Sequence, residues 1–308
     1  MNKKSILIFV ICIIISLPAC SIDSTKSNGE ISITDDMGNT VFLSENPDAV
    51  SCYGSFAECW LLAGGSLIGV TEDALIEHAI DHTQSTAIVG TVKEINIETL
   101  SSLNPDYVIL SADLTAHLSL QPMLDSLNIN YGYFSVDTFE DYKSLMKRFC
   151  NVTKRDDLFQ ENVIDVETRI EKIRAKIPKA SDKKVLLIRA FSSGIKAKRD
   201  DNLAGQILKE FGVANIADTH PSLLEEMSVE HIIKENPDYI FALTMGSEAA
   251  AITYLKENIE NNKVWQDLKA VKNNNYILLP KNLFHYKPNN RWDESYEYLA
   301  KIIYPEAF

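Results

Sequence analysis

Two rhythms of apolar and polar positions alternate along this chain. Short unbroken apolar runs rich in β-branched residues recur between longer stretches in which apolar residues return every three or four positions. The first kind reads as strands buried on both faces of a parallel sheet, the second as amphipathic helices. Residues 31–35 and 40–43, joined through Asp36-Met37-Gly38-Asn39, predict a β-hairpin. Residues 49–53 predict a strand, 54–63 a helix with Phe56, Trp60 and Leu61 on one face, Gly64-Gly65 its stop, and 67–70 the next strand. A polar loop is expected from 71 to about 86, a helix over 116–127, a strand over 129–134 and a helix over 138–150. The second half repeats the plan. Strands are expected at 184–190, 238–244 and 276–279, with helices at 202–211, 228–235, 248–261 and 290–303.

One stretch occurs twice, 132 residues apart, at 95–110 and 227–242. Each copy opens on an N-cap (Asn96, Ser228), places a glutamate two positions later (Glu98, Glu230) and stops a short helix at Asn-Pro-Asp. An apolar run then starts at Tyr107 and at Tyr239. Asn-Pro-Asp is ordinary punctuation between a helix and a strand, and a glutamate suits the positive end of any helix. Those reasons explain either copy alone, not the return of five residues in register. The period is too long for a solenoid and about the size of a domain, so the chain is expected to hold two similar α/β lobes.

Between the copies, residues 155–177 carry Phe159, Val163, Val166, Ile170, Ile173 and Ile177 at steps of three and four, and Pro178 ends the run. At about 1.5 Å per residue this is a rod of roughly 35 Å. A rod at that place predicts a rigid connector between the lobes. The expected organisation is a signal peptide at 1–19, a tether at 20–30, an N-terminal lobe at 31–153, an interlobe helix at 154–178 and a C-terminal lobe at 179–308.

The amino terminus supplies the first two of these. Lys3-Lys4 precede an apolar run from Ile6 to Leu17, which is short for a membrane span, and Leu17-Pro18-Ala19-Cys20 follows. That ending resembles the bacterial lipobox, which implies cleavage before Cys20 and a diacylglycerol on its sulfur. Residues 21–30 would then be a polar tether, and the mature chain would sit on the outer face of the cell membrane. The short signal fits a Gram-positive surface better than a periplasm.

The net charge of −13 becomes −15 once the two lysines of the signal leave. Bulk-charge binding to nucleic acid or to anionic headgroups is not expected on that ground. Cys52, Cys59 and Cys150 are the remaining thiols, an odd number without metal-site spacing, and read as small buried hydrophobes. The chain has no Gly-x-x-x-x-Gly-Lys loop, Gly-x-Ser-x-Gly elbow, strand-initiated Gly-x-Gly-x-x-Gly or His-Glu-x-x-His, and no catalytic residue is assigned. His78 and His82 stand at i,i+4 but lack further ligands, so no metal site is assigned either. Both are expected to be exposed, as are His117, His220 and His231.

Ligands of doubly wound lobes bind outside the carboxyl ends of the strands. In the first lobe the loops at 52–56, 71–73 and 111–115 offer Tyr53, Ser55, Glu72 and Asp113. In the second, those at 189–199, 244–247 and 284–292 offer Arg189, Phe191, Lys196, Met245, His285, Tyr286, Arg291 and Trp292. Lys196, Lys198 and Arg199 lie within four residues, and with Arg189 and the aromatics they predict a basic, aromatic wall for a planar or anionic ligand. Lys198, Arg199 and Trp292 fit a solvated charge run and a core aromatic equally well. His285 or Tyr286 could ligate a haem iron.

Taken in order, the Asp35-x-x-Gly38 hairpin, the Ser55-Phe56-Ala57-Glu58 helix start, Gly69-Val70 and both Asn-Pro-Asp units resemble the substrate-binding lipoproteins of ABC importers. More narrowly they resemble the class III group with one interlobe helix, over about residue 31 to the carboxyl end. The resemblance implies an α/β chain of two doubly wound Rossmann-like lobes joined by one long helix, the class III periplasmic-binding-protein fold. It implies a monomer, without an intrinsic cofactor, that captures an Fe(III) complex (a ferric-siderophore or haem) and delivers it to a permease dimer. Glu98 and Glu230 would dock on arginine pockets of that dimer. A corrinoid such as cobalamin is the alternative ligand. Because chelatases share the two-lobe plan, a lipid-anchored metal-handling enzyme is the alternative of another class, and a structural surface lipoprotein a third.

Overall fold

A computed structural model describes residues 30–80, 86–178, 181–224 and 229–308. The expected signal peptide, the lipidation site Cys20 and nearly all of the tether lie outside these residues, as do His82 and Ser228. No described helix is long and apolar enough to cross a membrane.

Strands β1 (Ile31–Thr34) and β2 (Thr40–Leu43) pair antiparallel as expected. Asp35 holds their turn: Oδ1 accepts the N–H of Met37 at 3.0 Å and of Asn39 at 2.8 Å, while Oδ2 accepts the N–H of Tyr133 at 3.0 Å. Gly38 turns the corner at φ +89°, where a side chain would be strained.

The first lobe is a five-stranded parallel sheet of β3 (Ala49–Ser51), β4 (Leu67–Val70), β5 (Ala87–Ile88), β6 (Tyr107–Ser111) and β7 (Tyr131–Phe134), in the order β5-β4-β3-β6-β7. The second contains β8 (Lys184–Phe191), β9 (Gly194–Lys198), β10 (Ala214–Asn215), β11 (Tyr239–Thr244) and β12 (Tyr276–Leu278). Its parallel path is β10-β8-β11-β12, and β9 folds back antiparallel on β8. Every residue of β6 and β11 is buried, as their unbroken apolar runs require.

The repeat is structural as well as sequential. Helix Ile97–Ser102 is capped by Asn96, whose side chain accepts the N–H of Thr99 at 3.0 Å. It and helix Val229–Glu235 are each followed by an asparagine in the left-handed region, Asn104 at φ +48° and Asn236 at φ +44°. Asparagine tolerates that conformation, and the proline after it prevents the helix from resuming. The aspartate of each unit then fixes the neighbouring strand. Asp106 Oδ2 accepts the N–H of Asp48 at 2.9 Å, just ahead of β3, and Asp238 Oδ2 accepts the N–H of Lys184 at 2.8 Å, at the start of β8.

The interlobe segment is helical from 156 to 174, as Asp156–Phe159, a wide i→i+5 turn Gln160–Ile164, and Asp165–Arg174. The wide turn carries Asn162, a buried polar residue that interrupts the apolar stripe. Its side chain donates to the carbonyl of Leu62 at 3.1 Å and accepts from Asn290 at 3.1 Å. Such turns recur where a helix must accommodate an inserted group. Val163, Val166 and Ile170 belong to one buried cluster with Tyr142 and Phe149 of the first lobe and Phe211, Tyr296 and Leu299 of the second. The connector is therefore part of a shared core, and Arg169 pairs with Asp293 across it.

Three local expectations differ from the structure. The loop after β4 contains a short helix, Glu72–Ile76, because Glu72 and Asp73 favour a first turn. The helix expected at 116–127 is two pieces, Thr115–Leu118 and Gln121–Ser126, since Pro122 can occupy only the first turn of a new helix. The cationic stretch at 195–199 is not a loop but mostly β9, with Ile195 and Ala197 packed inward and Lys196 and Lys198 on the other face.

Candidate functional site

The carboxyl ends of both sheets face one cleft of about 420 Å³. Its first-lobe wall is made by Tyr53 after β3 and by Ser111, Asp113 and Leu114 at the end of β6, with Asp137 after β7. Those strands flank the point where the order of the sheet reverses, which is where doubly wound sheets open a crevice. The second-lobe wall consists of Arg189 on β8, Met245 after β11, residues 201–203 at a helix start, and Phe284, His285 and Lys287.

Tyr53 is extended (φ −146°, ψ 122°) just ahead of helix Gly54–Leu62. Gly54 N–H donates to Asp73 Oδ2 at 2.7 Å, and a Cβ at Gly54 would lie 2.8 Å from the backbone nitrogen of Ala74, so only glycine lets these segments approach. Burial first, then the carboxylates Asp73, Glu77, Asp113 and Asp137, push the Tyr53 phenol well above its ordinary range. It stays protonated as a donor.

Ser111 is positioned by a buried imidazole. Its N–H donates to His117 Nδ1 at 2.9 Å, so that nitrogen carries the lone pair, and Nε2–H donates to the carbonyl of Val92 at 2.9 Å. Burial lowers the His117 pKa and keeps the ring neutral. The expectation of an exposed His117 is thus corrected: the ring is a buried strut whose two nitrogens are both used. His78 is corrected too, since its side chain is only 4% exposed and its Nδ1 meets Glu58 Oε2 at 2.8 Å. His220 is only partly exposed: its Nε2 pairs with Glu235 Oε1 at 3.0 Å and its ring stacks on that of His231, so neither imidazole stands free in solvent as expected.

On the opposite wall, Arg189 carries the charge. Its Nε is buried without a hydrogen-bond partner, and no carboxylate among the described residues lies within the 4.0 Å ion-pair distance. Burial lowers its pKa, against which the more distant Asp201 and Asp137 act, and the guanidinium remains a cation. Burial, then the cations Lys281, Arg189 and Lys287, hold His285 down to about 4, so its imidazole is neutral at pH 7.

The segment bearing His285 and Lys287 is fastened across the lobes. Lys287 Nζ lies 3.1 Å from Asp137 Oδ1 and also bonds the carbonyl of Val136. Buried Asn289 donates to the carbonyl of Ser55 at 3.1 Å and to Glu58 Oε2 at 2.6 Å, and accepts from the Ser55 hydroxyl at 3.2 Å. Lys287 and Asn289 both adopt left-handed conformations, at φ +47° and +51°, to make this crossing.

Of the residues expected in the cleft, the structure brings together Tyr53, Asp113, Arg189, Met245 and His285. The others are corrected. Ser55 is buried behind the wall on Asn289, and Glu72 is exposed on its short helix outside the lining. Phe191 ends β8 at the β8–β9 turn, and Lys196 lines a separate depression with Lys198 and Arg199, because β9 carries the cations away from the cleft. Tyr286 sits under Lys281, whose Nζ is 5.1 Å from the ring centre, rather than in the lining. Arg291 donates to the carbonyl of Asn282 at 3.4 Å, and Trp292, 1% exposed, packs edge-on against Phe139 as a core aromatic. The sequence reading missed Asp137 and residues 201–203. Asp137 follows a predicted strand, and Asn202 is a helix cap, so both carried a signal.

Glu98 is exposed in the first turn of helix Ile97–Ser102, and Glu230 holds the same second position in helix Val229–Glu235. Among the described residues no group of three His, Cys, Asp or Glu side chains is arranged to hold a metal ion.

Comparison with known proteins gives a consistent set of likenesses. The sequence pattern of the Periplasmic binding protein family matches residues 50–283. YhfQ of Bacillus subtilis, named as an ABC transporter substrate-binding lipoprotein, is 25% identical over 293 residues, 89% of each chain. The petrobactin-binding protein YclQ of the same organism is 26% identical over 299 residues, 91% of each chain. Among solved structures, that of Staphylococcus aureus IsdE complexed with heme superposes with a TM-score of 0.66 at 18% identity, covering 84% of this chain and 99% of that one.

Proposed function

Because the chain belongs to the periplasmic binding protein family, we propose that it is the extracytoplasmic substrate-binding protein of an ABC importer, capturing an iron complex between its lobes for delivery to the permease. Relatives named for petrobactin, Fe(3+)-citrate and heme support an iron complex as the cargo. The observation that carries the reading is Arg189, a guanidinium in an interlobe cleft with no carboxylate of the described residues within ion-pairing distance. Such a group binds an anionic oxygen with little competition from its own protein. The neutral imidazole of His285 is available beside it.

Several finer features belong to the same reading. Cys20 carries a lipid that anchors the chain to the outer face of the membrane, supported by Leu17-Pro18-Ala19-Cys20 and by the lipoprotein name of YhfQ. Glu98 and Glu230 dock on two like subunits of the permease, supported by their equal positions in the repeat. The chain acts as a monomer that closes little, since Lys287 and Asn289 already bridge the lobes and the connector shares their core.

Thermal unfolding of the purified chain with ferric siderophores, haem, cyanocobalamin and free Zn²⁺ or Mn²⁺ tests this. A ligand at a hundred times its dissociation constant adds about 2.7 kcal/mol of stability. A shift with an iron complex that disappears in Arg189→Ala supports the reading. Stabilisation by cyanocobalamin alone, or by a free metal alone, overturns it.

A further inference from the structure

The charges lining the cleft divide by lobe, and two of them stand without a partner. Asp137 is neutralised by Lys287 at 3.1 Å, and Asp201 by Lys198. That leaves Asp113 on the first-lobe wall and Arg189 on the second, neither within ion-pairing distance of an opposite charge among the described residues. Asp113 is exposed, and its two carboxylate oxygens share the Ser135 hydroxyl at 2.9 and 3.0 Å, a neutral donor that leaves the charge in place. With His285 neutral, the cleft holds one free carboxylate facing one free guanidinium, and its lining, three carboxylates against Arg189 and Lys287, is balanced to zero only when Lys198, which pairs Asp201 from outside the cleft, is counted.

The groups on each wall report the same division. Tyr53 feels the carboxylates Asp73, Glu77, Asp113 and Asp137 after burial, whereas His285 feels the cations Lys281, Arg189 and Lys287 after burial. A cleft of this kind selects by charge distribution. Three negative charges of a tris-catecholate iron complex would meet a single guanidinium and be repelled by Asp113. A tris-hydroxamate complex is different: three singly charged chelating groups cancel Fe(III), yet their oxygens still present partial negative charge to Arg189.

Resting on the iron-complex reading above, we propose that the ligand is a ferric complex of low net charge, which turns its chelating oxygens to Arg189 and an ammonium arm to Asp113. A linear ferric trihydroxamate with one free terminal amine is the simplest member of that class. Asp113 is then the residue that determines specificity for the arm, while Arg189 holds the head.

Titration calorimetry of the purified full chain against four probes tests this: the amine-bearing ferric trihydroxamate, the same complex N-acetylated, a ferric tris-catecholate, and haem. The amine form is expected to bind about tenfold tighter than the acetylated form, one charge-assisted contact. Asp113→Asn should abolish that ratio, and Arg189→Met should weaken both hydroxamates alike. Tightest binding by the tris-catecholate or by haem, or an amine-to-acetyl ratio that survives Asp113→Asn, overturns the proposal while the iron-complex reading stands. Silence with all four probes overturns both.

Discussion

Asn289 Nδ2 lies 2.6 Å from Glu58 Oε2, although 231 residues separate them. The contact joins the last loop of the second lobe to the first helix of the first lobe. The same carboxylate oxygen meets His78 Nδ1 at 2.8 Å, so Glu58 gathers groups from both lobes beneath the cleft. Buried Asn289 uses its whole side chain here, donating to Ser55 and Glu58 and accepting from the Ser55 hydroxyl and the Cys59 thiol.

Asn289→Ala therefore strips partners from several buried polar groups at once. Each unsatisfied buried group costs about 1–3 kcal/mol, and Asn289→Ala is expected to lose roughly 2–4 kcal/mol in urea unfolding at pH 7. Asn289→Asp preserves the shape but sets a second carboxylate against Glu58. Its loss should be larger at pH 7 than at pH 4.5, where the introduced acid, set against a carboxylate, can take a proton. Equal losses at both pH values would show that packing, not the hydrogen-bond network, is what Asn289 supplies.

The duplicated aspartates make a paired prediction. Asp106 and Asp238 each accept one backbone N–H at the foot of a neighbouring central strand, at 2.9 and 2.8 Å. Replacing either by alanine removes one charge-assisted bond, worth about 1–2 kcal/mol. Because the two sites belong to different sheets and share no hydrogen-bond partner, their effects should add in Asp106→Ala/Asp238→Ala. Asp238 also pairs with Lys269, so its single substitution should be the costlier of the two.

Acid should weaken the fold through its buried imidazoles. His117 has its pKa lowered from 6.5 by burial, and His285 has its pKa lowered to about 4 by burial and nearby cations. Above pH 6.5 these rings are neutral in both folded and unfolded chains and cost nothing. Below it the unfolded chain takes up protons that the folded chain refuses, so stability falls as pH drops from 6.5 toward 4. For His117 the charged ring would also lose the lone pair that accepts Ser111 N–H. Midpoint denaturant concentration measured from pH 8 to 4.5 should decline in the native chain and decline less in His285→Gln, whose amide does not titrate.

How much of this was visible beforehand depended on whether the signal was local. The Asn-Pro-Asp units, the hairpin at Asp35 and the connector stripe from Val163 to Ile170 are set by neighbouring residues, and each was legible. β9 was not, because Lys196 and Lys198 obscured a two-residue alternation with Ile195 and Ala197 that is short and weakly β-forming. Trp292 and Ser55 read as cleft residues because they fall in segments that follow strand ends in sequence. The chain had turned them inward by then, through a tight 3-10 turn at Asn289–Arg291 and through the Ser55 bond to Asn289. Pairing between Lys287 and Asp137, 150 residues apart, has no sequence signature at all. It removes Lys287 from the free charges, and with β9 turning Lys196, Lys198 and Arg199 away from the cleft a single free guanidinium is left in the lining.

Glu98 and Glu230 provide a prediction that separates transport from binding. Glu98 is exposed and stands outside the cleft lining, and the equivalent position in the second lobe is held by Glu230. Removing either carboxylate should leave ligand affinity in calorimetry unchanged. If each lobe docks one permease subunit, Glu98→Ala or Glu230→Ala should each cut uptake of ⁵⁵Fe-labelled ligand by roughly tenfold in cells carrying the importer, the value of one charge-assisted contact. The double variant should reduce uptake further, since two contacts on one rigid body act together. On that docking reading, charge reversal to lysine at either site should be worse than alanine, because it sets a cation against a surface that accepts a carboxylate. Were uptake to follow ligand affinity in every variant, the two glutamates would be helix-start residues favoured by the dipole alone.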